Sequence, residues 1–161
     1  MLIKMFKKFL LFILTTSMLL QCGYSPMYSS KNGEIKNISI NQINFSGDKI
    51  INNYIKTNFS KYQNMNNDKT FDLKIETKFY KETLSKDKTA KTTDYKLSST
   101  AIIEVSSSDK FIKNLVISEE KNMSNMSDKF EEQKYQRNIK NNFASSISNK
   151  IIIELSLLND N

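Results

Sequence analysis

The sequence has no histidine and no tryptophan, and it contains one cysteine, one proline and three glycines in 161 residues. A single cysteine excludes a disulfide within the chain, and without histidine the common Cys/His zinc sites are excluded as well. The missing histidine also removes the commonest general base at neutral pH and every Ser-His or Cys-His nucleophile pair. Metal hydrolysis and most nucleophilic catalysis are therefore not expected, although carboxylates and hydroxyls are available.

The bulk composition is that of a chain that folds. Hydrophobic residues make up 39% and charged residues 25% of the sequence, which supplies enough apolar material for a core. A length of 161 residues fits one domain, since single domains typically run to about 100–150 residues.

The N-terminus has the pattern of a secretory signal peptide. Lys4, Lys7 and Lys8 precede a mostly apolar run from Phe9 to Leu20, with no acidic residue. A membrane-spanning helix needs about 20 apolar residues, so this shorter run favours a cleaved signal over a permanent span. The alternative is an uncleaved N-terminal membrane helix, and it would leave the Cys-Gly that follows unexplained.

The tetrapeptide Leu19-Leu20-Gln21-Cys22 resembles the lipobox of bacterial lipoproteins. The resemblance implies that Cys22 becomes the first residue and carries a diacylglyceryl thioether and an N-acyl chain, with no other cofactor. Two or more acyl chains give stable membrane anchoring. Gln21 departs from the small residue usual before the cysteine, and the alternative for Cys22 is a buried, unreactive side chain. Gly23 is not the Asp that retains many lipoproteins at the inner membrane, so export to the outer membrane is expected.

Removal of the signal peptide changes the charge of the chain. It takes away three of the 24 basic residues and none of the 17 acidic ones, so the net charge falls from +7 to +4. The remaining charges alternate in sign along the chain, whereas a nucleic-acid-binding face is densely basic. No nucleic-acid partner is expected.

The sequence therefore divides into a signal peptide (1–21), a lipidated tether (22–33) and one domain (34–161). Within the domain, period-two alternation predicts strands and three-to-four spacing predicts helices. A phase slip near Asn41-Gln42 interrupts the first strand, and Ser46 or Asp48 is the expected N-cap of the first helix. The predicted elements are a strand over 34–45, a helix over about 48–62, strands over 71–84, 92–106 and 111–119, and, after a polar stretch over 122–128, a long helix with an apolar stripe at Tyr135, Ile139, Phe143, Ile147, Ile151, Leu155 and Leu158.

The order of these elements, β-α-β-β-β-α, predicts the fold class. A four-stranded, mostly antiparallel sheet with both helices on one face would bury every apolar stripe. This arrangement is a two-layer α+β sandwich.

The heptapeptide Cys22-Gly23-Tyr24-Ser25-Pro26-Met27-Tyr28 resembles the start of the LPS-assembly lipoprotein family (LptE), whose element order is the same. The resemblance implies a non-enzymatic outer-membrane protein that plugs a large translocon β-barrel (LptD-like), assists its assembly and helps deliver lipopolysaccharide to the outer leaflet. The implied partners are that barrel, lipopolysaccharide and the membrane lipid around the anchor. The alternatives are a generic lipoprotein with a scaffold or adhesion role, and a small lipid-anchored enzyme.

Lysines in the turn between the two longest strands are the candidate ligand-binding residues. Lys86, Lys88 and Lys91 lie in this turn, and Lys81 lies further down the arm. Clustered lysines would attract the phosphates of lipopolysaccharide. The alternative is an ordinary solvated hairpin tip.

Overall fold

A computed structural model describes residues 38–63, 70–108 and 110–159. The elements in chain order are β1 (Ser39–Gly47), α1 (Lys49–Phe59), a 3₁₀ turn (Ser60–Tyr62), β2 (Thr70–Lys86), β3 (Thr92–Ser107), β4 (Lys110–Ser124) and α2 (Lys129–Asn159). The predicted signal peptide and tether lie outside the described residues, as do 34–37 of the predicted first strand.

The four strands form one sheet in the order β1-β2-β3-β4. β2, β3 and β4 pair antiparallel through short turns, whereas β1 and β2 are parallel. The parallel pair has a topological cause, because α1 carries the chain from the end of β1 back to the start of β2. The predicted α+β class and element order are confirmed, with one parallel pair in a mostly antiparallel sheet.

The phase slip predicted in the first strand is a β-bulge. The pairing of β1 with β2 shifts register between Ile40 and Gln42. Ile40 and Ile43 are three residues apart, so in a regular strand their side chains would face opposite sides of the sheet. The extra residue of the bulge brings both side chains to the same side. The break in alternation near Asn41 in the sequence thus corresponds to a β-bulge in the structure.

α1 begins where β1 ends, at a tight turn. Gly47 has φ +91°, and a Cβ added to it would lie 1.9 Å from the Thr77 carbonyl oxygen, so a side chain is excluded there. The Asp48 backbone N–H donates to that same oxygen at 3.0 Å, and the Asp48 carboxylate accepts from the backbone N–H groups of Ile50 and Ile51. Asp48 is therefore the N-cap, one of the two residues predicted.

β4 is longer than predicted. The sequence predicts that the strand ends at Glu119, before a polar stretch, but β4 continues to Ser124. Met123 is buried and pairs with Tyr95, and Ser124 pairs with Asp94. The charged and polar residues of this stretch give no clear strand pattern in the sequence. Pairing with β3 makes it part of β4.

The core lies between the sheet and the two helices. Asp128 caps α2 by accepting from the backbone N–H groups of Phe130 and Glu131. The two helices also contact each other, with the Asn58 amide donating to the Ser148 hydroxyl at 3.2 Å. The buried residues form one cluster with inward-facing positions from all four strands: Ile38, Ile40, Ile51, Ile55, Phe59, Phe71, Leu73, Ile75, Leu97, Ala101, Ile103, Val105, Leu115, Ile117, Met123, Ile139, Phe143, Ala144, Ile147, Ile151, Ile152 and Leu155.

Neither described helix covers the outer face of the sheet, which we call the open sheet face. Its side chains are mostly polar, and they include ion pairs between Lys74 and Glu104 at 3.0 Å and between Lys78 and Glu76 at 2.9 Å. Neither of the two described helices is long and apolar enough to cross a membrane. The helices instead cover the inner sheet face.

Candidate functional site

Cys22 lies outside the described residues. Its lipidation therefore stays a prediction of the sequence. The other predicted site residues all lie in or beside the β2–β3 hairpin, which is described completely.

The tip of this hairpin is organised by Asp87. Its carboxylate accepts from the Thr89 backbone N–H at 2.8 Å, the Thr89 hydroxyl at 2.6 Å and the Lys91 backbone N–H at 3.0 Å. These hydrogen bonds, the one from the Thr89 hydroxyl first, lower the pKa of the Asp87 carboxyl. The left-handed φ of 63° at Ala90 completes the turn. The loop that carries the lysines thus has a defined backbone.

Lys86, Lys88 and Lys91 are all exposed at this tip. None of the three is in an ion pair with another residue of the described ranges. The tip therefore carries three ammonium groups without an ion-pair partner in the described ranges. It also carries one carboxylate, Asp87, one oxygen of which accepts hydrogen bonds from Thr89 and Lys91. The tip is a locally basic surface.

Below the tip, Asp94 ties three strands together. Its carboxylate accepts from the Ser85 hydroxyl on β2 at 2.6 Å and from the Ser124 hydroxyl on β4 at 2.9 Å, and these hydrogen bonds lower its pKa. The Asn125 backbone N–H also donates to the Thr93 carbonyl at 2.7 Å. The tip is thus held on a three-stranded base.

Lys81 does not belong to the exposed cluster. Its ammonium group forms an ion pair with Glu132 of α2 and lies 3.8 Å from the centre of the Tyr95 ring, a cation–π contact. The sequence placed Lys81 lower on the arm, and the structure shows why it is unavailable at the tip: it fastens the hairpin to α2.

Glu132 is the centre of that attachment, and it is not among the site residues predicted from the sequence. Glu132 is only 4% exposed. Its carboxylate also accepts hydrogen bonds from the Lys129 ammonium group at 2.6 Å and the Gln136 amide at 3.1 Å. The hydrogen bonds from Lys129 and then Lys81 hold the pKa of Glu132 below its usual value, although burial opposes this. The Lys129–Glu132 spacing is visible in the sequence, but the contact with Lys81, 51 residues away, requires the fold.

A second, half-buried ion pair fastens α2 to the start of α1. The Lys140 ammonium group lies 2.6 Å from the Asp48 carboxylate and 4.2 Å from the centre of the Phe79 ring. Burial alone would raise the pKa of Asp48, but hydrogen bonds from Lys140 and the Ile51 and Ile50 amides lower it. Asp48 therefore caps one helix and holds the other.

The carboxylates of the open sheet face do not form a catalytic pair. Glu76 and Glu104 line a shallow depression of about 380 Å³ on this face, but each is half exposed and bound to a lysine. Such solvated pairs lack the apolar surroundings that adapt a carboxyl for acid catalysis. Among the described residues, no group of three or more Asp, Glu, Cys or His could hold a metal ion.

No family model matches the chain, and no curated protein matches its sequence significantly. The fold is nevertheless similar to that of a rare lipoprotein B from Shewanella oneidensis, with a TM-score of 0.57 and 14% identity over 74% of this chain and 99% of that one. A lipoprotein B from Nitrosomonas europaea gives a TM-score of 0.55 and 9% identity over 78% and 90% of the two chains. A minor lipoprotein from Acinetobacter baumannii gives 0.50 and 14% over 70% and 93%. The TM-scores show a shared fold, and at such low identities they show the fold alone.

The Glu132 attachment predicts a dependence of stability on pH. Because the pKa of Glu132 is lower in the folded chain, its contribution is complete above the usual glutamate pKa and is lost as the pH falls through the lowered value. We expect Glu132→Gln to reduce the free energy of unfolding at pH 7 by about 1–3 kcal/mol and to flatten its decline in acid. Urea unfolding followed by circular dichroism between neutral and acidic pH measures both effects.

The matched control is Glu131→Gln, one residue away. Glu131 is exposed and lies 3.5 Å from Lys134, so this variant should change stability by less than about 0.5 kcal/mol. A Glu132→Gln profile parallel to that of the unchanged chain would contradict the assignment.

Proposed function

We propose that this chain is a non-enzymatic outer-membrane lipoprotein that plugs a lipopolysaccharide-translocon β-barrel, assists assembly of the barrel and helps deliver lipopolysaccharide to the outer leaflet. One observation carries the proposal: a fold shared with solved lipoproteins stands behind a lipobox and the heptapeptide Cys22–Tyr28. The sequence motif and the fold are independent of each other, because the motif lies outside the residues that make the fold.

The surface of the domain suits a plug. The interior of a large outer-membrane barrel is polar and wet, so a domain inside it needs a polar perimeter. The open sheet face offers Ser98, Thr100 and Ser118 in adjacent strands, where the Thr100 and Ser118 hydroxyls are 3.2 Å apart. Small hydroxyl side chains on a flat face permit close approach of a polar wall.

The hairpin tip is suited to contact with lipopolysaccharide. The three lysines are free of ion pairs within the described ranges, and Asp87 and Asp94 fix the loop and its base. A site on a fixed loop loses less conformational entropy when an anion binds. Lys86, Lys88 and Lys91 are therefore the residues that would contact lipopolysaccharide phosphates.

A generic periplasm-facing lipoprotein with a scaffold or adhesion role is the second candidate. The same anchor and the same fold would serve it. What favours the translocon subunit is the heptapeptide, which the generic reading leaves without a purpose.

The anchor is tested by the intact mass of the mature protein purified from membranes. We expect a chain that starts at Cys22 and carries the mass of a diacylglyceryl group and one further acyl chain. Cys22→Ser should remain at the full length from Met1 and carry no lipid mass. A native chain that retains Met1 without added lipid would refute the anchor.

The barrel partner is tested by photo-crosslinking in intact envelopes. A photoreactive amino acid in place of Lys78, which is exposed on the open sheet face and lies on β2, away from the β4 edge, should yield one adduct whose partner is an outer-membrane β-barrel with a lumen wide enough for the domain. Depletion of the chain should reduce both that barrel and surface lipopolysaccharide. Intact lipopolysaccharide export after depletion would instead favour the scaffold role.

The lysines are tested by neutralising them together. Each lysine near an anionic lipid surface contributes about 1 kcal/mol, so changing Lys86, Lys88 and Lys91 to Gln should weaken binding to lipopolysaccharide-containing vesicles by about tenfold to 100-fold. The control changes Lys49, Lys56 and Lys61 of the α1 region to Gln, which removes the same charge elsewhere. Equal loss in both variants would mean that net charge, and not the tip, determines binding.

A further inference from the structure

β4 is an edge strand with unusual exposed side chains. β3 pairs with one side of it, and no described residue pairs with the other side over Lys110–Ser124. Edge strands are usually protected by charges, bulges or a covering segment. Here Val116 is 69% and Phe111 is 62% exposed, and Ile112 is also exposed. The strand presents apolar side chains beside unpaired backbone groups.

The flank of α2 extends this surface. Ile153 and Leu157 are exposed there, and a groove of about 210 Å³ runs between helix and strand, lined by Leu115, Val116, Ile117, Lys150, Ile153 and Glu154. An apolar groove beside an unpaired strand edge can receive another extended strand.

The charges along β4 favour its own sequence, run in the opposite direction. Lys110 and Lys113 lie in the first half of the strand, and Glu119 and Glu120 lie in the second half, with Lys121 as the exception. Parallel self-pairing in register would place each charge opposite itself. Antiparallel self-pairing places the basic half opposite the acidic half, which is stabilising.

Two antiparallel registers place opposite charges across from each other. When the twofold axis passes through Val116, Lys113 lies opposite Glu119 of the second copy, and Val116 lies opposite Val116 of the second copy. A register centred on Ile117 would place Lys113 opposite Lys121, which is repulsive. One centred on Leu115 would place Lys110 opposite Glu120, but its central side chain is buried in the core of its own domain. The register centred on Val116 therefore places two exposed apolar side chains at its centre, with one pair of opposite charges, Lys113 and Glu119, on each side.

Existing ion pairs extend this register into a network. Lys113 already binds Glu154 at 2.7 Å, and Glu119 already binds Lys150 at 2.7 Å. In the paired sheets, the row Glu154, Lys113, then Glu119 and Lys150 of the second copy alternates in sign. Every charge in that row therefore has a neighbour of opposite sign.

We propose that two copies of this chain associate through their β4 edges, antiparallel and centred on Val116, to form one continuous eight-stranded sheet. A twofold interface of this kind closes on itself and leaves no further β4 edge open. The association needs neither the lipid anchor nor a barrel, so its failure would leave the proposed function untouched.

The first test is disulfide formation in the full chain. Val116→Cys, oxidised in membranes or mild detergent, should give a crosslinked product of twice the chain mass. Leu84→Cys, which is also exposed but lies on β2, and the unchanged chain, which has only Cys22, should not. Equal crosslinking of Leu84→Cys would indicate random collision, and a crosslinked product of Val116→Cys with another protein would assign the edge to that protein; either result overturns the proposal.

The second test separates association from folding. Val116→Lys places two ammonium groups opposite each other across the twofold axis while leaving an exposed position exposed. Sedimentation equilibrium of the full chain in detergent should give twice the chain mass for the unchanged protein and for the control Leu84→Lys, and half that value for Val116→Lys, with unchanged circular dichroism. An unchanged protein that sediments as a monomer overturns the proposal, as does a dimer that Val116→Lys does not affect.

Discussion

Burial of the inner face of a long sheet is the constraint on which this structure depends. β2 has 17 residues and would extend for about 55 Å, whereas α1 has only 11 residues and covers a fraction of that length. The 31-residue α2 spans about 46 Å and covers much of the remainder. The apolar stripe of α2, from Ile139 to Leu155, is buried for this reason, and the domain has one core.

Ion pairs hold α2 at successive points along its length. Glu132 binds Lys81 of β2, Lys140 binds the Asp48 cap of α1, Lys150 binds Glu119 of β4, and Glu154 binds Lys113. The apolar contacts supply most of the driving force, because they are non-directional and scale with buried area. The charged contacts are directional, and those at Glu132 and Asp48 are the most buried. They fix how α2 lies across the strands.

Because both helices lie on one side, the described part of the chain presents three different surfaces. The open sheet face is polar, the β4 edge is partly apolar, and the β2–β3 tip is basic. The tip extends past Gly47, where β1 ends opposite Thr77, so the last part of β2 is held by its pairing with β3 and by two contacts with α2, at Phe79 and at Lys81. The contact between Lys81 and Glu132 therefore connects the core to the part of the domain that carries the free lysines.

The sequence by itself determined the elements and their inward faces. The alternation in β2 and β3, the α2 stripe, the Asp48 cap and the bulge near Asn41 are local patterns, each produced by the geometry of one strand or one helix. Lys86, Lys88 and Lys91 were found for the same reason, since a turn between two alternating stretches exposes its lysines. The signal peptide, Cys22 and the heptapeptide also belong to the sequence, and the described fold neither includes nor tests them.

Only the tertiary structure decided which distant residues meet. The parallel pairing of β1 with β2, the extension of β4 to Ser124 and the burial of Glu132 between Lys81 and Lys129 depend on contacts between residues far apart in the chain. Polar residues carry no periodic signal that identifies such partners, because their burial depends on a charge or backbone group supplied by another element. Lys81 and Lys86 are the same residue type on one strand, and only the position of α2 makes the first a structural contact and leaves the second free.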